Sequence, residues 1–66
     1  MQQIKIIARD RNSECQHYLR MSNPTMAEMV FHGLTHDPIH QDLAWELNVK
    51  DETGEWVMIN WHRPTW

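Results

Sequence analysis

Residues 43–62 read LAWELNVKDETGEWVMINWH, and their alternation decides the architecture. Leu43, Trp45, Leu47 and Val49 alternate with Ala44, Glu46, Asn48 and Lys50, the period-two pattern of a strand with one buried side. After Asp51-Glu52-Thr53-Gly54 a second strand starts at Glu55 and runs to His62. Taking Glu52, Thr53 and Gly54 as a three-residue loop, with Gly54 in the left-handed bulge position, fixes the register. Val49 then faces Val57, Leu47 faces Ile59 and Trp45 faces Trp61, giving a continuous core side. The opposite side must hold Trp56, Met58, Asn60 and His62 beside Glu46, Asn48 and Lys50.

Moving toward the N-terminus, the same period recurs. Ile4, Ile6 and Ala8 alternate with Lys5, Ile7 and Arg9, and Cys15, His17, Leu19 and Met21 alternate with Gln16, Tyr18 and Arg20. The polar link Asp10-Arg11-Asn12-Ser13 suits a tight turn, so residues 3–21 form a hairpin with a basic outer face carrying one aromatic. Between the hairpins, Thr25 followed by Glu28 fits a reciprocal capping box and places a helix start at Thr25. Met26, Met29, Val30 and Leu34 follow at helical spacing, a stripe that needs a sheet to cover it. Gly33 suits the left-handed residue that ends such a helix, with Leu34 folding back onto Met29. The alternative carries the helix through Gly33 to His36, at about 1 kcal/mol for the internal glycine, before Pro38 stops it. The early stop is the expectation.

Strand, strand, helix, strand, strand predicts an α+β domain of two layers, a four-stranded antiparallel ββαββ sheet with one short helix on one face. Residues 1–66 make a single domain, and one of this size removes only about 60% of its unfolded surface from water. Ordering the chain costs on the order of 100 kcal/mol, so large apolar side chains are needed in a core or an interface. Four tryptophans and five methionines are therefore informative. One cysteine excludes an internal disulfide, and the absence of a signal-peptide pattern or a long apolar run points to a cytoplasmic protein without membrane association.

The net charge of −3 is unevenly spread. Residues 1–22 carry Lys5, Arg9, Arg11 and Arg20 against Asp10 and Glu14, a net of +2; the remainder carries seven carboxylates against Lys50 and Arg63, a net of −5. That balance argues against general nucleic-acid binding and for a basic partner.

The histidines of FHGLTHDPIH, residues 31–40, pose the question of a metal. Cys15, His17, His32, His36 and His40 are the candidate ligands, since zinc needs three or four imidazoles or thiolates converging from more than one segment. Gly33 occupies the position where a hydrolytic helix motif has glutamate, and the Cys-x-His pair is not zinc-finger spacing. The ordinary reading is a solvated helix face with His32 and His36 near its C-terminal end, and Cys15 as a small buried hydrophobe. Asp51 and Glu52 lie in an exposed turn, where nothing desolvates them to raise a pKa. With two glycines there is no phosphate-cradling loop. The expectation is a non-enzymatic protein without a cofactor.

Two binding surfaces remain. Lys5, Arg9, Tyr18 and Arg20 on the first hairpin make a small version of a single-strand nucleic-acid platform. Trp56 and Met58 on the second hairpin, with the terminal Trp66, are apolar anchors of the kind enriched in protein interfaces, and Glu46, Asn48, Glu52, Glu55 and Asn60 surround them. The protein interface is the leading expectation, with self-association as a two-fold dimer through Trp56 and Met58 included.

In topology the IKIIARD and ECQHYLRM hairpin, the TMAEMVFHGL helix and the LAWELNVKDETGEWVMINW hairpin together resemble small bacteriophage inhibitor proteins, such as anti-CRISPR proteins and inhibitors of host RNA polymerase. The resemblance involves no shared motif. It implies a protein that occludes a functional surface of a larger bacterial protein or ribonucleoprotein complex.

Overall fold

The computed structural model describes residues 2–64. Four strands, β1 (Ile4–Arg9), β2 (Cys15–Met21), β3 (Ala44–Lys50) and β4 (Trp56–His62), form one sheet in the order β2-β1-β3-β4, every neighbouring pair antiparallel. The helix α1 (Pro24–Thr35) and a short 3-10 turn (Pro38–His40) connect β2 to β3. The α+β arrangement is the one expected from the strand and helix patterns. The connection carries the chain across β1, so the two hairpins meet through β1 and β3. Those central strands supply the core: Ile4, Ile6 and Ala8 from β1 and Trp45 and Leu47 from β3 pack with Ala27 and Phe31 of α1.

The helix differs from expectation at both ends. Asn23, not Thr25, is the cap, its side-chain oxygen accepting from the Met26 backbone N–H at 3.1 Å, with Pro24 in the first turn. Proline suits that position because its missing N–H would have had no partner there. The helix also runs through Gly33 to Thr35. Burial of Phe31 and Thr35 against the sheet outweighs the glycine's cost. Thr35 donates its hydroxyl to the Phe31 carbonyl at 2.9 Å, and the His36 ring Nδ1–H donates to the His32 carbonyl at 2.8 Å. The buried stripe is consequently Ala27, Phe31 and Thr35, flanked by Val30 and Leu34, whereas Met29 is 69% exposed and Met26 also faces water.

Both hairpins close with the same device. Asp51 accepts from the backbone N–H of Thr53 and Glu55 and from the Thr53 hydroxyl, and Gly54 takes φ +87°. Asp10 accepts from the N–H of Asn12 and Glu14 and from Gln16, and here Ser13 takes the left-handed position at φ +66°. These bonds stabilise the charged carboxylates. Asp51 is held below the usual range chiefly by the Thr53 hydroxyl, and Asp10 chiefly by the Glu14 N–H.

The three-residue loop sets Val49 opposite Val57 as expected, but the register then slips. An extra residue in β4 pairs Asn48 with Met58 and Leu47 with Asn60, a bulge that turns the rest of the strand over. Trp61, expected in the core, pairs with Glu46 and lies on the side away from the helix; Asn60 and His62, expected on that side, face the helix layer. Strict alternation would have placed Trp61 beside Trp45, a site already enclosed by β1, the His17 ring and His40.

Candidate binding face

Antiparallel partners share a face, so the ladders define what the helix-free side of the sheet displays. One row across the four strands is Arg20, Lys5, Asn48, Met58, and the next is Tyr18, Ile7, Glu46, Trp61. Lys50 and Trp56 pair at one end, and Arg9, opposite Ala44 and Cys15, sits at the other. The candidate residues of the first hairpin, Lys5, Arg9, Tyr18 and Arg20, and those of the second, Trp56 and Met58, therefore belong to one continuous surface. Pairing of β1 with β3 is what joins them.

Its apolar members differ in depth. Ile7 is buried although no helix covers it, because Tyr18 and Glu46 flank it in the middle of the sheet. Tyr18, Met58 and Trp61 are about half exposed, at 49, 51 and 54%. Three large half-exposed side chains thus share the face that no helix covers.

The electrostatics of this face run against the protein's net charge. Lys5 lies 4.2 Å from the Trp56 ring centre, with Lys50 at 5.6 Å and Arg20 at 5.7 Å, while Arg63 lies 5.4 Å from Trp61. Arg20 further donates to the Tyr18 hydroxyl at 3.3 Å and to Gln3 at 3.1 Å. Among the described residues, Lys5, Arg20 and Lys50 have no carboxylate within ion-pair distance. The single acid in these rows is Glu46, which Arg9 engages at 3.4 Å and to which Asn48 donates. Most other carboxylates lie off these rows: Asp10 and Asp51 are occupied in their turns, Glu52 and Glu55 are exposed at the β3–β4 turn, and Glu28 lies on the helix.

No protein-family model matches the chain, and no curated protein or solved structure matches it either.

The remaining candidates separate. His32 and His36 stack on the helix with ring centres 3.9 Å apart, whereas His17 and His40 gather on Trp45 at the far end of the core. Cys15, expected to be buried, is exposed, and its thiol donates to the His17 carbonyl at 3.4 Å. Among the described residues no three His, Cys, Asp or Glu side chains come together in a way that could hold a metal ion. Asn60 is removed from the partner-binding set by the β4 bulge, and Glu52 and Glu55 stand at its margin; Trp66 lies outside the described residues. Alternation alone places Trp61 in the core, because the bulge carries no glycine to betray it, and places Lys50 on this face without singling it out. No helix is long and apolar enough to cross a membrane.

Proposed function

We propose that the chain is a non-enzymatic binding module that lays the helix-free face of its sheet against a larger bacterial protein or ribonucleoprotein complex and acts by occluding the surface it covers. The observation that carries this reading is the convergence of Tyr18, Met58, Trp56 and Trp61 with Lys5, Arg20 and Lys50 on one face. Trp, Tyr, Met and Arg are the residues enriched in the energetic centres of interfaces. An inhibitor of the phage anti-defence or host-takeover type would use such a face without any catalytic group.

The sign of the partner follows from the face and not from the whole chain. A surface whose free charges are cationic selects an anionic counterpart, so the acidic residues Glu52 and Glu55 stand at the edge of the contact and do not drive it. Affinity capture from bacterial lysate tests this directly. The native protein should retain a partner that Trp61→Ala and Arg20→Glu lose and that the Glu52→Lys, Glu55→Lys double variant keeps. Retention that is indifferent to Trp61 and Arg20 would overturn the assignment.

A further inference from the structure

Resting on that reading of the sheet face, we infer that its ligand is a phosphate-bearing single strand of nucleic acid, either free or exposed on a ribonucleoprotein. Three features of the face point to this chemistry.

Lys5, Arg20 and Lys50 come from three different strands and converge on the Trp56 ring, with no acid to neutralise them among the described residues. Bringing three like charges together works against folding, and an anion bound between them removes that repulsion. Contacts with the Trp56 ring and with the Tyr18 hydroxyl hold the cations in place before any ligand arrives.

Flat aromatic surfaces lie beside this cluster. Tyr18 and Trp61 occupy the two edge strands of one row, three strand spacings or about 14 Å apart, roughly four stacked nucleotide steps. Both are half-exposed, and every base has a face that can stack on such a ring. An acidic protein segment would satisfy the cations equally well but would leave these rings without a planar counterpart.

The face also has an acidic boundary. Asp51, Glu52 and Glu55 at the β3–β4 turn lie beyond the Lys50–Trp56 pair, so a polyanion crossing the Lys5 row is repelled from that end of the sheet. Neutralising Glu52 and Glu55 to glutamine should therefore tighten binding, the reverse of what a contact through those acids predicts.

The test is a titration of the whole chain with oligothymidylate of roughly 12 nucleotides, within the range of common single-strand sites. Tryptophan fluorescence and oligonucleotide anisotropy are read at several salt concentrations. Two further polyanions, an abasic phosphodiester strand of equal length and polyglutamate, serve as comparisons. Binding should quench tryptophan, with affinity falling with salt at a log–log slope of about −2 for three phosphate contacts. Arg20→Glu, exposed on an edge strand, should weaken binding about tenfold or more and flatten that slope. Trp61→Ala should weaken it roughly tenfold with the slope unchanged. Equal affinity for the abasic strand, or no response to oligothymidylate at low salt, overturns the inference. Polyglutamate binding that depends on Arg20 without oligonucleotide binding would do the same while leaving the binding face intact as a site for acidic proteins. Insensitivity of lysate capture to Trp61 and Arg20 would instead remove the face itself.

Discussion

The two sides of the sheet are built from alternate residues of the same strands, yet they do opposite work. On the helix side, Ile4, Ile6, Ala8, Trp45 and Leu47 of the central strands are sealed beneath Ala27 and Phe31, while Leu19 and Val57 on the edge strands stay partly open to water. On the open side only the centre, Ile7 and Asn48, is buried, and the aromatic residues at the flanks remain half-exposed among cations. Tryptophan in this chain therefore occupies two environments, separated by one residue of register. Trp45 holds the layers together; Trp61, turned over by the β4 bulge, is left half-exposed on the open face.

Substitutions at the two tryptophans should break the symmetry most sharply. Trp45→Ala should cost about 3–5 kcal/mol, a large part of what a domain of this size has, and urea denaturation should show a mostly unfolded protein. Trp61→Ala should leave the unfolding free energy within about 0.5 kcal/mol of native while removing partner binding. A second contrast is electrostatic. Lys5→Gln and Arg20→Gln should together change stability little, and relieved repulsion should make any change favourable, whereas binding to an anionic partner should fall severalfold and lose salt sensitivity.

Acid distinguishes the turns from both faces. Asp10 and Asp51 have carboxyls held below the ordinary range in the folded chain, so their contribution is present above about pH 4, the unfolded value, and is lost as pH falls through the folded value. Thermal midpoints should drop on that acid limb, and Asp51→Asn should shallow the drop while leaving the open face competent to bind at neutral pH. The smallest expected effect is at the other turn. Ser13 holds a backbone conformation that costs a side-chain-bearing residue roughly 1–2 kcal/mol, so Ser13→Gly, after glycine's own entropy, should gain about 0.5–1 kcal/mol in denaturant unfolding. Gly54→Ala should move stability the other way.

Much of this was legible in the chain, and the limits are physical. Four strands follow from alternation, and Gly54 reveals its turn because few other residues accept a left-handed backbone. Ser13 hides the matching turn behind a residue that tolerates the conformation only under constraint. Gly33 reads locally as a helix terminator, whereas the tertiary burial of Phe31 and Thr35 extends the helix past it. The β4 bulge is silent for a related reason: Val57, Ile59 and Trp61 make a faultless one-sided pattern, and only the occupied space around Trp45 shows why the strand abandons it. For the candidate site, every local ingredient but Trp61 is visible on one hairpin or the other. What joins them is the β1–β3 pairing, a contact between residues about forty positions apart that leaves no local trace.

Backbone amide shifts measured by NMR during titration with oligothymidylate at low salt would locate the bound strand on the sheet residue by residue. Perturbations should fall on all four strands, centred on Lys5, Ile7, Tyr18, Arg20, Lys50, Met58 and Trp61, with α1 unmoved. Shifts confined to one hairpin or gathered on the helix side, or an unperturbed spectrum, would contradict that placement.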